Sequence, residues 1–342
     1  MTYSILSKHR SKLMGIALIF VLLFHCHQYG MAMNTRFLND IFEIGFGGVD
    51  LFILLSSMGL TMSLIRKPVP LEVFMKKRCE RILPAYYTVM IPYTLFLIIS
   101  KKAKFSWLFF NAGLVYYWIP DSVGRFNWYI SALFFFYVMT PFFVKKIASA
   151  KHKVLFTVIT VAVSFILIEL ILVEGFWAYC DFFYRLPAFF MGILMGFFVS
   201  EDRKIGAVDI IVLLLMAACG ITFYHMSVQG IFAEILPQWL FVQTAQMFIF
   251  TSVPVCILLC VFFEFITIKP FAWLIEELGK CSLEIYLLNA SFFTELEIIK
   301  PLLPQSDTMR LGFLVYMIAN VVLGIGLHYL IEGIRKSIQN KH

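Results

Sequence analysis

Apolar runs long enough to cross a bilayer recur along this chain, and they fix what it can fold into. A spanning helix needs about 20 mostly apolar residues. Ten such stretches can be marked: 13–33, 44–65, 83–100, 127–144, 154–173, 182–200, 206–225, 239–266, 281–299 and 311–331. Hydrocarbon offers the backbone no hydrogen-bonding partner, so each stretch must pair with itself as a helix. The expected fold is all-α, a polytopic integral membrane protein of about ten transmembrane helices, with one domain over 1–342. Composition agrees. Hydrophobic residues make up 61% of the chain and charged residues 14%, where a soluble domain carries about 45–50% and about 25%.

The remaining charges set an expected orientation. Net charge is +7, and Lys and Arg cluster in short loops. That is the positive-inside pattern of a protein in a lipid bilayer, not the footprint of a nucleic-acid partner. Loop 66–82 holds Arg66, Lys67, Lys76, Lys77, Arg78 and Arg81, and loop 145–153 holds four lysines, whereas 174–181 and 226–238 carry neither Lys nor Arg. Both termini are therefore expected in the cytoplasm. Lys8-His9-Arg10-Ser11-Lys12 precedes the first run and no small-residue cleavage site follows it, so that run reads as a retained helix rather than a signal peptide. The segment 105–120 is apolar and holds Trp107, Tyr116, Tyr117 and Trp118. Counting it as a span would turn the lysines of 145–153 outward, so it is expected to be interfacial or re-entrant. The seven cysteines are scattered without a CxxC, and the glycine-rich 45–48 lacks a P-loop lysine. Neither a metal site nor a nucleotide loop is expected.

Ionisable groups inside such runs are costly and usually line a cavity or a path. Here they include His25, Asp50, Glu169, Arg185, Glu264, Glu284 and Glu295, joined by the amide Asn289. Glu264, and Glu295 with Glu297, lie near run ends and read as snorkelling side chains. His25 closes the run Leu13–Phe24, and an imidazole suits a general base near neutral pH. The competing reading is a satisfied packing group. Asp50 follows Gly45-Phe46-Gly47-Gly48-Val49, so its carboxylate either pairs with a buried cation or caps a broken helix. Arg185 suits substrate binding, or pairing with Asp181 or Asp50. At 100° per residue Arg10 lies about 60° round the helix from His25, while Lys12 falls on the far side. In the basic segment 74–84, Lys77 and Arg81 are placed on one face. Such a segment binds either anionic lipid headgroups or a phosphate-bearing ligand.

Six segments, in order over nearly the whole chain, resemble the membrane-bound acyltransferase family 3. Met14-Gly15-Ile16-Ala17 through His25 resembles its first helix. Gly48-Val49-Asp50-Leu51-Phe52 resembles its Gly-Val-Asp-Leu-Phe segment, and Lys77-Arg78-Cys79-Glu80-Arg81-Ile82-Leu83-Pro84 its Lys-Arg-x-x-Arg-(Ile/Leu)-x-Pro segment. Trp128-Tyr129-Ile130, Arg185-Leu186-Pro187-Ala188-Phe189 through Gly192, and Gly279 through Ser282, Tyr286, Leu287 and Asn289 resemble three later helices. The resemblance implies transfer of an acyl group, usually acetyl, from cytoplasmic acetyl-coenzyme A to a hydroxyl of a surface glycan or lipid-linked sugar, at a bacterial inner membrane. It implies His25 as general base, while Asp50 is a candidate either to orient or charge-balance it or to pair with Arg185. Arg10, Lys77, Arg78 and Arg81 are then candidates to hold the coenzyme's phosphates, and Arg185, Asn289 and Trp128 to meet the acceptor. Two departures stand out. The family's arginine eleven residues before the histidine is Met14 here, and its late-helix histidine is Asn289, which hydrogen-bonds but cannot relay a proton as imidazole does. A glutamate that many members carry in the Trp helix is also missing, at Leu133 or Phe134. The rival reading from another class is a transporter using buried Asp50, Arg185 and Glu284, though no two-half repeat of broken helices is visible.

Overall fold

The computed structural model describes residues 1–28, 36–119, 128–235, 244–266, 268–299 and 307–339. Among these, nine helical stretches are long and apolar enough to cross a membrane, and each falls on one of the ten expected runs. The remaining run, 281–299, is the helix Ser282–Ile299, about 27 Å long at 1.5 Å per residue. The chain is thus an all-α polytopic membrane protein. The side chains of Glu295 and Glu297 lie outside the described residues.

The helices that position the site are α1 (Arg10–Gln28), α2 (Gly48–Arg66), α3 (Leu71–Ile99), α4 (Trp128–Ser149), α5 (Lys153–Val173), α6 (Leu186–Ser200), α7 (Ala207–Val228), α8 (Phe248–Phe265), α9 (Lys269–Lys280), α10 (Ser282–Ile299) and α11 (Asp307–Gln339). The third helix departs from the expected run 83–100. It begins at Leu71, well inside the basic loop. Glu72, Lys76, Lys77, Arg78, Glu80 and Arg81 are good helix formers, so the helix simply continues out of the apolar region. Pro84 and Pro92 sit within it, and Thr88 Oγ1 donates to the Pro84 carbonyl at 2.7 Å.

Within segment 105–120 the described residues, 105–119, form no helix long enough to span. They form the helix Ser106–Ala112 and a 3-10 turn at Tyr116–Trp118. Seven helical residues rise only about 10 Å. Tyr86 and Tyr87 on α3 tether it, donating to the carbonyls of Asn111 at 2.8 Å and Ala112 at 3.0 Å. Phe105 and Phe109 remain exposed, as at a membrane boundary.

The core lies where α2 meets α6. Residues Leu186 to Val199 are all buried, whereas α7 buries only Gly220. Lipid tails are as apolar as leucine, so helices associate through close packing and small residues rather than by escaping water. A Cβ on Gly192 would stand 2.0 Å from Ser57 Oγ and 2.3 Å from the Leu54 carbonyl oxygen. Only glycine permits that approach. Gly192→Leu is expected to destabilise the bundle by about 3 kcal/mol, the upper end of the usual cost of overpacking, seen as loss of monodisperse protein after extraction in detergent. Unchanged thermal stability would count against this packing.

A second close approach brings α9 against α1. Cβ atoms at Gly15 and Gly279 would meet the carbonyl oxygens of Ile275 at 2.0 Å and Ser11 at 1.8 Å. This contact sets α10, which follows directly, beside α1. At the basic end of the bundle, Lys8 Nζ donates to Glu264 at 2.6 Å and His9 Nε2 lies 2.5 Å from the same carboxylate. Glu264 is therefore a tether for the N-terminal segment. Glu169, left open by sequence, accepts from Gln246 Nε2 at 2.9 Å.

Candidate active site

Three arginines converge on one cavity of about 250 Å³. Arg10 opens α1, and Arg78 and Arg81 lie on the basic first turns of α3. Arg10 Nε donates to the Leu55 carbonyl at 3.1 Å. Gly59 faces its guanidinium, and a Cβ there would stand 2.8 Å from Arg10 Cζ. Met14, where a family arginine was expected, lines the same cavity. Arg10 therefore places a guanidinium in the space that Met14 borders, as its angle on the helix suggested. Lys12 sits instead over the Phe263 ring at 5.6 Å.

Among the described residues, no carboxylate lines this cavity. Three guanidiniums without an acid among the described lining residues suit a multiply charged anion, since their planar forks match phosphate oxygens. Gly59→Ala pushes on a flexible side chain rather than on backbone. It is expected to weaken anion binding several-fold with little loss of stability, measurable by titrating coenzyme A into purified protein.

Lys77 is exposed and does not line the cavity. The face that α3 turns to the bundle carries buried Phe74, Ile82, Ala85 and Tyr86. Arg78 and Arg81, three apart, fall along that stripe. Lys77 is one residue, about 100°, away from Arg78. Of Lys77 and Arg81, four apart, only Arg81 lines the cavity.

The cavity becomes more buried away from the arginines. Its inner end is lined by Phe52, Leu133, Tyr129 and Tyr286. Tyr129 and Tyr286 meet edge to face, with ring centroids 5.1 Å apart and planes at 72°.

Beyond this aromatic pair lie two polar groupings. The first is His25 with Asn289, whose Oδ1 is 2.5 Å from His25 Nδ1. An amide oxygen only accepts, so Nδ1 carries the hydrogen and donates it. The Asn289 amide nitrogen points the other way, toward Met317 Sδ at 3.5 Å, consistent with this orientation. Nε2 is then the ring nitrogen with the lone pair, the form a general base requires. Asn289 cannot relay a proton, but it can select this tautomer.

The second grouping is Arg185, held between two acids and an indole. Its Nε lies 3.7 Å from Asp50 Oδ2, and its Nη1 donates to Asp181 Oδ1 at 3.3 Å. The guanidinium carbon sits 5.2 Å from the centre of the Trp128 ring. Asp50 and Arg185 are 3% and 4% exposed. Both pairings considered from sequence, Asp50 and Asp181, are present together. Asp50 opens α2, where Gly45 and Gly48 let the chain pass close to α1.

One partner was missed. His328 on α11 places Nδ1 3.2 Å from Glu284 Oε2. The signal was Glu284 itself, since a carboxylate in a membrane helix needs a partner, but nothing in the sequence distance of 44 residues identified which.

A family model described as an acyltransferase domain matches residues 13–329. No curated protein and no solved structure matches the chain.

Proposed function

We propose, for a chain that belongs to acyltransferase family 3, that this membrane acyltransferase moves an acetyl or other short acyl group from acyl-coenzyme A to a hydroxyl of a cell-surface glycan or lipid-linked sugar. The observation that carries the reading is the pairing of a three-arginine cavity, with no acid among its described lining residues, with a membrane histidine whose Nδ1 is occupied. Arg10, Arg78 and Arg81 hold the coenzyme's phosphates. By the positive-inside rule this end faces the cytoplasm, where acyl-coenzyme A is made, and the membrane is the inner membrane of a bacterial-type cell.

The chemistry follows from His25. Its Nε2 takes the proton of the acceptor hydroxyl as the oxygen attacks the thioester carbonyl. The C–S bond then breaks, and the leaving thiolate takes that proton from the imidazolium. Asn289 keeps the ring in the competent tautomer. Asp50 balances Arg185, whose guanidinium and the Trp128 face wall the acceptor side.

A transporter is not favoured. Buried Asp50, Arg185 and Glu284 each have a partner inside the protein, and the family is one of acyltransferases. The test is thiol release from acetyl-coenzyme A by purified protein in lipid with a panel of glycan acceptors. Acceptor-dependent release supports the reading, and uptake of a solute without coenzyme A would replace it.

A further inference from the structure

The donor cavity and His25 do not share a wall. The cavity runs from the exposed Arg81 to its inner end at Phe52, Tyr129 and Tyr286. Tyr286 precedes Asn289 by one helical turn on α10, and Asn289 holds His25. Tyr129 directly follows Trp128, which carries Arg185. Phe52 follows Asp50 by two residues on α2. All three inner residues therefore stand between the anion-binding end and the two polar groupings. Tyr129 and Tyr286 are 9% and 7% exposed, and their rings meet edge to face from α4 and α10.

A thioester held by its phosphates at the arginines must pass this pair to reach His25. Water that reached both would react in place of the acceptor. Its oxygen would attack the thioester carbonyl, His25 Nε2 would take its proton, the C–S bond would break, and the thiolate would take up the proton. The products are a free carboxylic acid and coenzyme A. An aromatic barrier that yields only to the incoming acyl arm limits this loss, because a closed site excludes water from a reactive group.

We infer that Tyr129 and Tyr286 form a partition between the donor cavity and the His25–Asn289 base, and that this partition couples consumption of the acyl donor to the presence of an acceptor. The inference rests on the acyl-coenzyme A reading above. Neither tyrosine is a catalytic residue in it. They are positioning residues that decide when donor and base meet.

The test needs no knowledge of the acceptor. Wild-type protein in lipid nanodiscs is given acetyl-coenzyme A alone, and free thiol is followed together with coenzyme A binding. The wild type is expected to bind and to release thiol slowly. Tyr286→Ala is expected to raise acceptor-independent release about tenfold or more, a drop of ~1.4 kcal/mol in the barrier to hydrolysis. Tyr286→Phe, which restores the ring, restores the wild-type rate. Adding His25→Ala to Tyr286→Ala removes the gain. Tyr129→Leu probes the same barrier from α4 if Tyr286→Ala does not yield folded protein. A merely structural role would lower rates and never raise hydrolysis. If the variants bind coenzyme A and release thiol no faster than wild type, the partition is wrong while the acyltransferase reading stands. If the wild type does not bind coenzyme A at all, both fall.

Discussion

His25→Ala is expected to lower acyl transfer by about 10²–10⁴-fold, the range for removing a positioned general base, while leaving coenzyme A binding intact. The two effects separate because of distance along one helix. His25 is fifteen residues from Arg10, about 22 Å at 1.5 Å per residue. The phosphate-binding end therefore does not depend on the imidazole. His25→Gln is expected to be as inactive, since an amide offers no basic nitrogen. Equal loss of binding and turnover would make His25 a structural residue, the packing group that the sequence left open.

The second large effect concerns stability. Arg185→Leu strands Asp50, which is buried, and removes the partner of Asp181. Removing one member of a buried ion pair costs about 3–5 kcal/mol, mostly from the charge left behind. The cation–π contact with Trp128 is lost as well. The variant is expected to unfold at markedly lower temperature in detergent or to fail to accumulate. Asp50→Asn in the same chain removes the stranded charge and should recover part of the loss. If Arg185→Leu is as stable as wild type but inactive, Arg185 is a substrate ligand and not a strut.

Legibility differed by kind of residue. Spans were readable because hydrocarbon demands long apolar runs, and each expected run corresponds to a described helix. Boundaries were less readable. The start of α3 at Leu71 rather than near 83 reflects polar helix formers that extend a helix beyond its apolar part. His25 and Arg185 stood out as ionisable groups where charge is costly, and the angle of Arg10 on its helix followed from periodicity alone. The choice among Lys77, Arg78 and Arg81 did not, because it depends on which face α3 turns inward. His328 and the Tyr129–Tyr286 contact join distant parts of the chain, through α11 in one case and through α4 and α10 in the other. No local pattern records such a meeting.

The departure at Asn289 gains a physical explanation. The family histidine at that position could both orient and relay, whereas an amide can only orient. The 2.5 Å contact with His25 Nδ1 preserves the orienting half. In the proposed mechanism the proton removed from the acceptor travels on His25 itself to the leaving thiolate, with no second imidazole required at position 289.

The account is tested most directly by measuring acceptor-dependent release of coenzyme A thiol from acetyl-coenzyme A, for wild type, His25→Ala and a double replacement of Arg78 and Arg81 by alanine. The predicted result is turnover in the wild type, binding without turnover in His25→Ala, and weakened binding in the arginine variant. Wild-type protein that is folded in lipid yet neither binds acetyl-coenzyme A nor releases thiol with any acceptor would contradict it.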